Sequence, residues 1–337
     1  MNTYDPADLQ KKPKKEKNKK TRNYGFIMFL LVLVFLLGVC IYENPDFKKI
    51  SASGANQKAT AYVGVLEVHG TMSGDGSDPA YNQKWLLNQI DEMMQDSSNK
   101  GLVLSIDTPG GSVYTVDELY LKIKEYQDTT LRPVYAYMES MAASGGYYVA
   151  APADKIYANR NCWTGSIGVT IGTIYDVSEF LEDLGIRTVT ITAGENKAMG
   201  SAVEPLTDEQ KSIYQGLVDE AYSQFVAVVA EGRNMKLKRA EGLADGRIYT
   251  AKQAKANGLI DEIGTREEAL QAMMKENELK ECEYRVMTYE PAFSFSNWMF
   301  GLTEKIQQSA ESEYDQILRL MEENQTFTIS YLANERK

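Results

Sequence analysis

Histidine is nearly absent from this chain: His69 is the only one in 337 residues. A serine nucleophile normally takes its base from a histidine held by a carboxylate. The sole candidate sits at the end of an apolar, strand-like run, Val63-Gly64-Val65-Leu66-Glu67-Val68-His69-Gly70, and reads as a strand-end side chain without a catalytic role. The same scarcity argues against zinc, since no Cys/His cluster has ligand spacing. No cofactor is expected either. Cysteine is sparse: Cys40, Cys162 and Cys282 make no disulfide framework, and the last two read as free thiols. No internal repeat is present. Positive charge is also short outside the first 22 residues. That start carries eight basic and three acidic side chains, a net of +5, and the remainder carries 28 basic and 44 acidic, a net of −16. Nucleic-acid modules place positive charge on the folded body. An acidic body excludes that class.

Residues 24–42 are nineteen positions without a charge, bounded by Tyr24 and Tyr42. As a helix they reach roughly 28 Å, close to the hydrocarbon thickness of a bilayer. The positive-inside rule keeps the lysine-rich start in the cytoplasm and sends the rest across. A cleaved signal peptide would have a shorter apolar region and a small-x-small site, which Ile41-Tyr42-Glu43-Asn44-Pro45 does not offer. Leu37-Gly38-Val39-Cys40 matches a lipoprotein box poorly, because Val39 is a poor residue before the cysteine. The reading is an uncleaved, single-pass anchor in contact with lipid, followed by a linker over 43–59 and an extracytoplasmic body.

In the body, a strand at about 61–69, apolar helical spacing over 81–95, a strand at 101–107, a helix at 113–126 and a strand at 133–138 succeed one another. This βαβα order argues an α/β fold with parallel strands. Helix-like residues at 142–151 follow the third strand directly, so Ser144 stands at a strand-to-helix junction, in Met141-Ala142-Ala143-Ser144-Gly145-Gly146-Tyr147-Tyr148. Small neighbours let a substrate backbone approach a serine hydroxyl. Short β pieces are expected over 155–176, a helix near 177–184, and a strand over the β-branched run 188–192. Thr207 and Gln210 form a capping-box signature for a long helix ending at Gly232.

With no suitable histidine, Ser144 needs another base, and Ser-Lys is the recognised variant. Lys197 follows the β-branched run through Ala193-Gly194-Glu195-Asn196. It accepts a proton only when neutral, which requires desolvation to lower its pKa by several units from about 10.4. The oxyanion donors are expected after strand 101–107, where Gly110-Gly111 lets backbone N–H groups face a developing charge. The Gly111 and Ser144 N–H groups would form the pair. Asp107 has no suitable histidine to orient.

Asp107-Thr108-Pro109-Gly110-Gly111-Ser112, Met141 to Tyr148, Thr164-Gly165-Ser166-Ile167-Gly168-Val169 and the stretch from Ala244 to Ala254 occur in that order. Together they resemble the bacterial signal peptide peptidase A family, membrane-bound Ser-Lys proteases with a Clp protease/crotonase-like fold. The likeness spans roughly 60–275. The resemblance implies Ser144 as nucleophile, Lys197 as general base, Gly111 in the oxyanion hole and Ser166 as the serine that hydrogen-bonds the lysine. It implies peptide substrates, remnant signal peptides cut within their apolar segments, and a ring-shaped homo-oligomer in which Ser144 and Lys197 of one site come from adjacent subunits. A groove of Gly110, Gly111, Ser112 and Tyr147 would hold the substrate. The division is then 1–23 basic cytoplasmic segment, 24–42 transmembrane helix, 43–59 linker, 60–275 protease domain and 276–337 C-terminal segment, for oligomerisation or as an active-site tail. Its alternating stretch 326–334 resembles a peptide such a groove would bind. Rival readings are a Ser-Lys protease of other membrane proteins, a crotonase-like acyl-CoA enzyme, and an inactive scaffold.

Overall fold

The computed structural model describes residues 60–279, 281–291 and 330–332. The expected basic segment, membrane span and linker lie outside them. Among the described residues no helix is long and apolar enough to cross a membrane.

A parallel sheet is wound from β1 (Tyr62–His69), β2 (Asn99–Thr108) and β4 (Val134–Ala143), joined through α1 (Gln83–Gln95) and α2 (Val113–Thr130), with the short β3 (Gly110–Ser112) before α2. The two-residue period of the strands sorts their side chains onto two faces. Leu66, Val68, Leu102, Leu104, Ile106, Val134, Ala136 and Met138 face the larger core under α1 and α2. Val63, Val65, Val103, Tyr135 and Tyr137 face a smaller one under α8 (Arg266–Glu276). Burial on both faces explains why these strands are nearly continuous apolar runs. The helices start where the sequence supplies caps: Asn82 accepts the Trp85 N–H, and Ser112 accepts the Thr115 N–H.

Beyond β4 the sheet forks. The first half of β4 pairs with β5 (Lys155–Ala158), and the second half, Met141 to Ala143, pairs with β6 (Trp163–Gly165). Then β7 (Ile248–Thr250) lies antiparallel on β6, β8 (Glu262–Ile263) lies beside β5, and β9 (Glu283–Met287) lies parallel on the far side of β1. The helix α3 (Gly145–Ala150) leaves β4 at once. α4 (Ser178–Asp183) precedes α5 (Asp208–Gly232), whose capping box at Thr207 and Gln210 forms as expected. α6 (Leu237–Glu241) and α7 (Ala251–Asn257) lead round to β8.

Two local expectations fail. Residues 168–175 build no strand, and neither does 188–192, where Val189 is 84% and Ile191 93% exposed. β-branched composition favours a strand only where another strand can pair with it. Among the described residues no strand pairs with 188–192, part of an arm over residues 170–206.

Candidate active site

Ser144 occupies the one-residue elbow between β4 and α3, with φ 54° and ψ −117°. For a residue with a Cβ this is sparsely populated backbone, costing about 1–3 kcal/mol, and such strain gathers where geometry serves chemistry. Neighbours hold it on both sides: the Ser144 N–H donates to Gly165 O at 2.7 Å, and its carbonyl accepts the Tyr148 N–H at 3.0 Å. The residue is 1% exposed.

Beside it runs β3. Met72 N–H donates to Gly110 O at 2.8 Å and Ser112 N–H to Met72 O at 3.1 Å, so one edge of β3 faces Met72. Backbone groups alternate along a strand. The N–H and C=O of Gly111 therefore point the opposite way, the side on which β10 (Ser330–Leu332) pairs antiparallel, with Tyr331 opposite Gly111. Only glycine fits there, since a Cβ on Gly111 would stand 2.0 Å from Met72 O. The turn into β3 is fixed by Thr108, whose buried hydroxyl donates to Gly70 O and accepts the Gly110 N–H at 3.1 Å. A Cβ on Gly145 would lie 3.1 Å from Gly110 Cα and 3.2 Å from Gly111 N. The first turn of α3 thus lies directly against β3.

One of the two expected donors is engaged elsewhere. The Ser144 N–H is committed to Gly165 O, because the elbow aligns residue 144 with the end of β6. The next amide, that of Gly145, makes no hydrogen bond among the described residues and lies near Gly111.

Lys197 sits exposed on the arm, its N–H donating to Gly194 O at 3.2 Å. Among the described residues no hydrogen bond or ion pair joins it to Ser144 or to Ser166. Ser166 lies immediately after the Gly165 that holds the Ser144 amide, has φ 50°, and donates its own N–H to Arg247 O at 2.8 Å. The Ser112 hydroxyl caps α2 and donates to Thr115 Oγ1 at 2.7 Å, while its backbone N–H, like the Gly110 carbonyl, is engaged by Met72. Tyr147 does not line a groove beside Ser144. Its ring is fully buried and its hydroxyl donates to Leu259 O at 2.8 Å, because the helical turn after Ser144 rotates it into the core. His69 ends β1 with Nε2 3.1 Å from Glu139 Oε1. Cys162 and Cys282 are free, and burial pushes the Cys162 thiol up to about 12. A thiol held protonated is a poor nucleophile.

The profile of Peptidase family S49 matches residues 127–280, a span that includes Ser144, Ser166 and Lys197. An Enterococcus faecium protein named as a signal peptide peptidase SppA is 34% identical over 285 residues, 83% of this chain and 81% of its own length. A Methanocaldococcus jannaschii protein named as a protease is 33% identical over 251 residues, 73% of this chain and 80% of that one. Among solved structures, a ClpP1 mutant from Listeria monocytogenes overlaps 61% of this chain and 94% of its own, at 16% identity and a TM-score of 0.41. That overlap is too loose to bear on the fold. The sequence relatives are a different matter: at 34% identity over four-fifths of both chains, this chain belongs to the S49 peptidases of the signal peptide peptidase A kind and is a serine protease.

Proposed function

We propose that this chain is a membrane-anchored signal peptide peptidase with a Clp protease/crotonase-like catalytic domain and a Ser-Lys dyad completed between copies. The observation that carries the proposal is the elbow at Ser144 beside the Gly111 backbone, whose free-facing edge takes a β-strand. An extended peptide adds to such an edge through main-chain hydrogen bonds, which suits apolar segments of varied sequence. Ser144 Oγ attacks the carbonyl carbon as neutral Lys197 takes the hydroxyl proton. Gly111 N–H and Gly145 N–H receive the oxyanion. The lysine returns the proton to the leaving amine, and water activated by the same lysine then hydrolyses the acyl-enzyme.

Lys197 comes from the arm of a neighbouring copy. Val189 and Ile191 on that arm are almost wholly exposed, with Phe180 at 63% and Leu184 at 60%. Apolar surface of that kind suits burial against another protein surface, and burial is what lowers a lysine pKa. Ser166 would then hydrogen-bond the incoming ammonium. A ring of copies follows, tethered through 24–42 with the catalytic domain outside the cytoplasm and remnant signal peptides as substrates.

Labelling with a fluorophosphonate tests the chemistry. The full chain should gain one adduct on Ser144, and Ser144→Ala should gain none. A wild-type chain that stays unlabelled, or an adduct elsewhere, would overturn the proposal.

A further inference from the structure

Ile106 of β2 pairs with Met138 of β4, but two residues later Thr108 pairs with Ala142. Two steps along β2 match four along β4. Glu139, Ser140 and Met141 thus bulge out opposite a single residue, Asp107. Bulges beside active sites re-aim the side chains that follow them. Here the bulge separates the half of β4 that pairs with β5 from the half that pairs with β6. Only the second half brings the Ser144 N–H to Gly165 O.

All three bulged residues are tied down. One oxygen of Asp107, Oδ1, accepts the Ser140 hydroxyl at 2.6 Å and the Met141 N–H at 3.0 Å. Glu139 Oε1 accepts the Ser105 hydroxyl at 2.6 Å and lies 3.1 Å from His69 Nε2. Asp107 also opens the run Asp107-Thr108-Pro109-Gly110-Gly111, which carries the oxyanion strand. Its carboxylate is four residues from Gly111 in one direction and, across two hydrogen bonds, three residues from Ser144 in the other.

We infer that Asp107 is a positioning residue for the protease reaction, its carboxylate pinning the β4 bulge so that Ser144 stands in register with Gly111. The role rests on the proposal that Ser144 is the nucleophile. It needs an acceptor oxygen rather than a charge, and an asparagine can supply one.

The experiment compares Asp107→Ala and Asp107→Asn in the full chain, reading kcat, KM, the fluorophosphonate labelling rate and the thermal midpoint. Misplacing a reacting group by about 1 Å costs on the order of 100-fold in rate. Asp107→Ala should therefore lose about 100-fold in kcat and in labelling rate, with KM within about threefold. Asp107→Asn should recover to within about fivefold of wild type, since it keeps the acceptor. If Asp107→Ala does not fold, Ser140→Ala removes one of the two bonds at an exposed position and should slow labelling by about three- to tenfold. Wild-type labelling rates in Asp107→Ala or Ser140→Ala, or an Asp107→Asn as slow as Asp107→Ala, would overturn the inference. Failure of the wild-type chain to label would instead overturn the identity of the nucleophile.

Discussion

Replacing Gly111 by alanine puts one methyl group where the chain has no room for it. The added carbon would stand 2.0 Å from Met72 O, 2.5 Å from Met72 C and 2.7 Å from Met72 Cα. All three are backbone atoms, so no rotamer change relieves the clash, and the nearest contact is roughly 1.5 Å short of an ordinary one. β3 must move away from Met72. That breaks the bonds from Met72 N–H to Gly110 O and from Ser112 N–H to Met72 O, each worth about 1 kcal/mol net. Overpacking adds about 1–3 kcal/mol, giving a destabilisation of about 3–5 kcal/mol. The same movement swings the Gly111 N–H off the carbonyl it should polarise, and loss of one oxyanion donor lowers kcat by about 100- to 1000-fold. Turnover of a fluorogenic apolar peptide, measured well below the thermal midpoint, separates the two effects. Gly216→Ala is the control, because that α5 position has nothing within 4 Å of the new carbon. It should leave kcat unchanged and raise stability by up to about 1 kcal/mol. A Gly111→Ala enzyme with wild-type kcat would refute both the confinement of β3 and the donor role.

Three further outcomes follow from the same geometry. Because β10 lies on the Gly111 edge, a chain ending at residue 329 should show a lower KM for added peptide; an unchanged KM would mean the tail and the peptide do not compete. Tyr147→Phe should cost about 1 kcal/mol of stability through the lost bond to Leu259 O and leave KM unaltered, whereas a changed KM would return Tyr147 to the groove. The hydrogen bond to Glu139 leads the causes that raise the His69 pKa above 6.5, and the same bond leads those that lower Glu139 below 4.5. The His69 contribution is complete below 6.5 and fades as pH rises through the raised folded value; the Glu139 contribution is present above 4.5 and fades as pH falls through the depressed one. The stability gap between wild type and His69→Gln should therefore be widest between pH 4.5 and 6.5 and narrow on the alkaline side. A gap that stays flat into alkaline pH would refute the coupling.

Much of the central sheet was legible because its signals are local. Leu86, Ile90 and Met93 mark one helix face, Thr207 and Gln210 mark a helix start, and the doubly buried strands are apolar runs. Ser144 stood out through its small neighbours and its junction between a strand and a helix. What escaped depends on distant partners. The two-residue excess in β4 exists only against the register of β2, and nothing in Glu139-Ser140-Met141 announces it. Tyr147 carries the same side chain whether it lines a groove or meets Leu259 O. The choice between the Ser144 and Gly145 amides turns on where β6 ends. The run 188–192 has strand composition but no strand pairs with it among the described residues, so composition misled there.

The dyad itself is tested most directly by complementation in the full chain. Ser144→Ala and Lys197→Ala should each be inactive alone, since nucleophile and base act as a unit. Unfolded together and refolded as a mixture, they should regain peptide cleavage, because some interfaces then pair an intact Ser144 with an intact Lys197 from the neighbouring copy. Mixed assemblies that form and stay inactive, or a Lys197→Ala chain that cleaves at the wild-type rate, would contradict a site completed between copies.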